Sequence, residues 1–141
     1  MYKSILLPID LAHESSWKKT APIAAALADA YGAELHVMTV APRIRGGMVA
    51  QHFPAGFEAN AAAASAQELS DLSKRILPGR DLKLHVATGR VYRSIIDTAK
   101  AQDCDLIVMA SHRPELGDVL IGPNADHVLR NTSASVFIVR D

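Results

Sequence analysis

The stretch "DLIVMASHRPELGDVLIGPNADHVLRNTSASVFIVR", Asp105 to Arg140, decides the fold. It opens on the apolar run "DLIVMAS" and passes through a polar loop. A helical pattern follows over about Pro123 to Arg130, and the stretch closes on a second apolar run, "SVFIVR". Short Val- and Ile-rich runs on either side of a helix are the pattern of buried parallel strands joined by a crossover. Pro123 suits the first helical position, where its missing N–H costs no intrahelical bond.

The same alternation extends back to the N-terminus. "YKSILLPI", "ELHVMTV" and "DLKLHVAT" are three more short apolar runs. Helical patterns lie between them, over about Ser15 to Ala30, Gly56 to Ile76 and Val91 to Ala101. Ser15 or Ser16 can cap the first, and Gly32 can stop it. Pro22 lies inside that pattern, so the helix either starts later or bends there. Pro78-Gly79 closes the second. The order βαβαβαβαβ predicts an α/β fold, an open, doubly wound, five-stranded parallel sheet with helices on both faces and right-handed crossovers. The 141 residues suit one domain, residues 1–141, with a real core.

Composition narrows the function classes. The formal net charge is zero, so no basic excess is available to neutralise a nucleic-acid backbone. The apolar run at the N-terminus is broken by Pro8 and Asp10, and it is too short for a signal peptide or a bilayer span. One cysteine, Cys104, excludes an internal disulfide and a CxxC site, and a reducing cytoplasm is the expected compartment. The dinucleotide G-x-G-x-x-G, the P-loop and the G-x-S-x-G elbow are all missing. The six histidines form no i, i+4 pair. His36 and His85, each in an "LHV" context, could meet across the sheet and favour a structural role over a metal site. His13 and His127 read as surface or cap residues and Trp17 as packing.

In open parallel sheets, ligands bind beyond the carboxyl ends of the strands, where strand order reverses. That rule selects Pro8, Ile9 and Asp10 after the first strand and Val40 with Ala41 after the second. It also selects the loop after the fourth strand, Met109, Ala110, Ser111, His112 and Arg113, up to Gly122, Pro123 and Asn124. Asp10 is placed either to ligand Mg²⁺ carried by nucleotide phosphates or to cap and close its loop. The fourth loop would offer an anion the free N–H groups of a helix start, the Ser111 hydroxyl and the donors of His112 and Arg113. Its alternative is a plain strand-to-helix connector. Arg43 to Phe57, "RIRGGMVAQHFPAGF", is a long loop that could cover the same crevice.

With "MYKSILLPID", "AELHVMTVAP", Gly89 and "LIVMASHRP…GPNADHVLRNTSASVFIVR" in place, the chain resembles a universal stress protein of the small single-domain kind. Its "ASHRP" loop is similar to the subgroup of the enterobacterial F and G types. The resemblance implies sheet order 3-2-1-4-5, a Rossmann-like architecture and a homodimer, commonly through the last strand, Ser135–Arg140. It also implies ATP bound in the crevice, with Pro8, Ile9, Asp10, Val40 and Met109 at the adenosine end. Nucleotide-binding members carry G-x-x-G, a spacer, then G-[S/T]. Here Ala110 and Arg113 replace two of three glycines, and the spacer is one residue shorter. The F/G-like subgroup shares both departures. Pro123 is the larger change, because it removes a hydroxyl and a backbone N–H; Asn124 could supply part of the loss. The resemblance further implies stress-response signalling without an assigned catalytic residue, with at most slow ATP hydrolysis or self-modification. The alternative is a member that binds no nucleotide and acts through an unknown protein partner, for example a transporter. Neither nucleic-acid binding nor membrane insertion is expected.

Overall fold

The computed structural model describes residues 1–42, 56–111 and 122–140. Five strands, β1 (Ser4–Pro8), β2 (Glu34–Ala41), β3 (Leu82–Thr88), β4 (Leu106–Ser111) and β5 (Ser135–Arg140), form one parallel sheet in the order β3-β2-β1-β4-β5. Four helices alternate with them: α1 (Thr20–Tyr31), α2 (Phe57–Ile76), α3 (Val91–Ala101) and α4 (Pro123–Asn131).

The apolar runs follow from burial on both faces. Ile5 and Leu7 of β1 pack with Leu35, Val37, Leu106 and Val108 against α1 and α2. Leu6, the residue between them, packs with Met38, Ile107 and Met109 against Ile95 of α3 and Val128 of α4. Alternation in space therefore leaves no alternation in polarity. Small residues of α1, Ala21, Ala24 and Ala28, let that helix lie close on the sheet.

The helix expected from Ser15 is corrected. Glu14–Ser16 is a short 3-10 turn, and α1 starts at Thr20. An earlier start would put Pro22 in the helix interior, its ring against the Lys18 carbonyl and one bond lost. Starting at Thr20 leaves Pro22 in the first turn, where no N–H is required. Gly32 ends α1 in the left-handed region (φ 64°, ψ 34°), and its N–H donates to the Ala28 carbonyl. The bounds of α2, α3 and α4 lie within one residue of the sequence reading.

Asp105 ties the sheet's middle together. Its carboxylate accepts from the N–H groups of Lys3 and Ser4, at 3.0 to 3.2 Å, just before β1 and β4 start side by side. Their far ends then part. The chain leaves β1 for α1 on one face and comes from β4 to α4 on the other.

Candidate functional site

The gap left where β1 and β4 diverge is a cleft of about 540 Å³. Its floor is the ends of three strands: Pro8, Ile9 and Asp10; Thr39 and Val40; Met109, Ala110 and Ser111. Val91 and Ile95 of α3 wall one side, and Gly122, Asn124 and Ala125 at the start of α4 wall another. His13, Ser15 and Ser16 complete the rim. The expected residues that fall within the described segments thus converge on one crevice, apart from Ala41, which is buried, and Pro123, which is exposed; neither lines it. His112 and Arg113, and residues 43–55 of the long loop, lie outside the described residues.

Sequence reasoning missed several lining residues. Thr39 was hidden inside a strand pattern, and Val91 and Ile95 read only as an apolar helix face. His13 and Ser16 read as surface or cap residues. The signal that could have found Val91 and Ile95 is their place at the start of a helix opposite the strand ends.

The loop after β1 is bound to itself. The Ser16 hydroxyl accepts from the Asp10 N–H (2.9 Å) and faces the carbonyls of Asp10 (3.0 Å) and His13 (2.8 Å) as donor. The Ala12 N–H donates to Asp10 Oδ1 (3.0 Å), and His13 Nδ1 lies 2.9 Å from Asp10 Oδ2. Each carboxylate oxygen of Asp10 is therefore already engaged. Mg²⁺ takes near-octahedral oxygen ligands through one or two carboxylates. Among the described residues no three His, Cys, Asp or Glu side chains gather as ligands. The expected Mg²⁺ position at Asp10 thus offers a single carboxylate, bonded within its own loop.

At the opposite end of the cleft, the Gly122 N–H donates to Ser111 Oγ at 2.8 Å, which clasps the end of β4 to the start of α4. Gly122 is the N-cap in extended conformation (φ −66°, ψ 159°), and Pro123 is the first helical residue. The first turn of an α-helix leaves its N–H groups without intrahelical partners. Pro123 contributes none, so Asn124 and Ala125 supply them. Among the described residues lining the cleft, Asp10 and His13 are the ionisable ones and no Lys or Arg occurs.

A second polar group lies away from the cleft. His36 and His85 meet across β2 and β3, with parallel rings and Nδ1···Nε2 at 2.8 Å. His36 Nε2 is buried without a hydrogen bond, and the Glu34 carboxylate stands 3.5 Å from it. Lys83 holds the other Glu34 oxygen at 3.1 Å. Facing a carboxylate, Nε2 of His36 is the nitrogen that carries hydrogen. Nδ1 then accepts from His85. Burial holds both imidazoles below the usual histidine range, assisted at His85 by the charges of His36 and Lys83.

The model of the universal stress protein family matches residues 1–140. The chain is 28% identical over 145 aligned positions to universal stress protein G of Shigella flexneri, covering 99% of this chain and 100% of that one. The universal stress protein UspA from Lactobacillus plantarum shares the fold with a TM-score of 0.77 at 19% identity, over 99% and 98% of the two chains. A universal stress protein solved in complex with cAMP gives a TM-score of 0.65 at 22% identity, over 99% and 97%.

Proposed function

The chain belongs to the universal stress protein family, and from that premise we propose that it binds an adenine nucleotide, ATP, in the cleft between β1 and β4. The observation that carries this reading is the convergence of three strand ends and a helix N-terminus on one crevice of about 540 Å³. That is the position where parallel α/β sheets hold nucleotides, and the volume lies in the range of small-molecule sites. The cAMP held by one fold relative supports the adenine assignment.

In this reading the base lies over Val40 and Met109 and the sugar meets Pro8, Ile9 and Asp10. The phosphates approach Ala110, Ser111, Gly122 and Asn124, with His112 and Arg113 from the adjoining loop. Nucleotide occupancy would work as a signal in the stress response of the cytoplasm, by favouring one of two states of a homodimer. The dimer would join through Ser135–Arg140. Among the described residues no helix is long and apolar enough to cross a membrane.

The test is direct. Protein purified from cells is denatured and its released small molecules are identified, and ATP with Mg²⁺ is then titrated by calorimetry. Adenine nucleotide in the extract and a saturable heat are expected. No nucleotide and no heat at millimolar ATP would remove the proposal.

One observation favours a second reading, in which the protein acts through protein contacts alone. The Gly122 N–H is already taken by Ser111, and Pro123 has none to give. A chain that releases no nucleotide but retains a protein partner would establish that reading.

A further inference from the structure

We infer that His13 is a positioning residue that fixes the Asp10 carboxylate for a sugar hydroxyl. This rests on the nucleotide reading of the cleft and adds a residue to it. Asp10 is an exposed side chain, 59% accessible, in a loop. Such a carboxylate ordinarily samples several rotamers, and a hydroxyl that needs one fixed acceptor then meets it only part of the time.

Here the side chain is held at both oxygens. The Ala12 N–H takes Oδ1, as in an ordinary Asx turn. That contact alone closes the loop. The bond from His13 to Oδ2 is not needed for closure, because the His13 N–H already donates to the Asp10 carbonyl at 3.0 Å. A carboxylate only accepts, so Nδ1 carries the hydrogen. The Ser16 hydroxyl fixes the backbone of both residues at once. The result is a carboxylate lining the cleft with one orientation and lone pairs still open on each oxygen. A vicinal diol is the ligand group suited to such an acceptor.

The experiment compares adenosine with 2′,3′-dideoxyadenosine, which lacks both sugar hydroxyls, by calorimetry on the intact chain. The wild type binds adenosine more tightly, by about tenfold, the scale of one good hydrogen bond. His13→Ala lowers that ratio to near one. His13→Asn, whose amide lies where Nδ1 lies, restores most of it. His13→Gln, whose amide lies where Nε2 lies, does not. A ratio unchanged in His13→Ala means that His13 only closes the loop, and the inference is overturned. Equal binding of both ligands by the wild type overturns it as well and leaves the nucleotide reading intact. Failure of the wild type to bind adenosine overturns the inference too, while the nucleotide reading stands or falls on the ATP titration.

Discussion

At the scale of single residues, Pro123 poses the sharpest question about this cleft. It is exposed and lies outside the lining, so a hydroxyl at that position would have little to reach. What it withholds is the N–H of the first helical residue. Pro123→Ala and Pro123→Ser should therefore tighten ATP by similar factors, up to about tenfold for one charge-assisted bond, and leave adenosine unchanged. Titration of both ligands against both variants checks this. A gain confined to Ser would return the effect to the hydroxyl. The histidine pair carries a second expectation. Burial lowers the folded-state pKa of His36 and His85, so the unfolded chain takes up protons first as pH falls. Stability is then full above the usual histidine range and declines as pH drops through that range toward the depressed folded values. The urea midpoint should fall between about pH 7.5 and about pH 5.5, and fall less in His85→Gln. This window lies above that of Asp29 and Glu34, whose pKa values are lowered by Arg80 and Lys83 and whose contribution is lost only in more acid solution.

Among elements, those with a strong physical signature were legible from sequence. The central strands β1, β2 and β4 read as apolar runs because helices press on both faces of the sheet, as Leu6 and Leu7 show by being fully buried toward opposite layers. The Pro123 start of α4 was legible from backbone chemistry alone. The strand order was different. Periodicity gives β1 through β5 but not their neighbours, and the order 3-2-1-4-5 came from family resemblance. The start of α1 was misplaced, since Ser15 and Ser16 resemble caps. Their loop obeys Asp10 and His13 rather than the helix that follows. Such a loop has no period to detect, and its bonds depend on rotamers that sequence does not display. Hence Pro8, Asp10, Val40 and Ser111 were found as cleft residues by a rule about strand ends, while His13, Thr39 and Ile95 emerged only once the elements were packed.

At the scale of the whole molecule, the two edges of the sheet differ. β3 carries Lys83 beside a 38% exposed Leu84 and is packed by both α2 and α3. β5 has Phe137 43% exposed, with Val136, Ile138 and Val139 only partly covered. An apolar edge strand invites pairing with another chain. In the proposed homodimer, Phe137→Glu should shift the solution mass from dimer to monomer, measured by light scattering on a sizing column, while the helix signal in circular dichroism is kept. An unchanged mass would move the interface elsewhere or leave the protein a monomer. The central position of the first strand has a different consequence, for synthesis. As the chain emerges from a ribosome, β1, β2 and β3 can assemble with α1 and α2. One flank of β1 must wait unpaired until Leu106 and Ile107 have been made. Asp105, which reaches back 102 positions to the Lys3 N–H, arrives one residue ahead of them. It is placed to latch the nascent half-sheet as its missing neighbour appears.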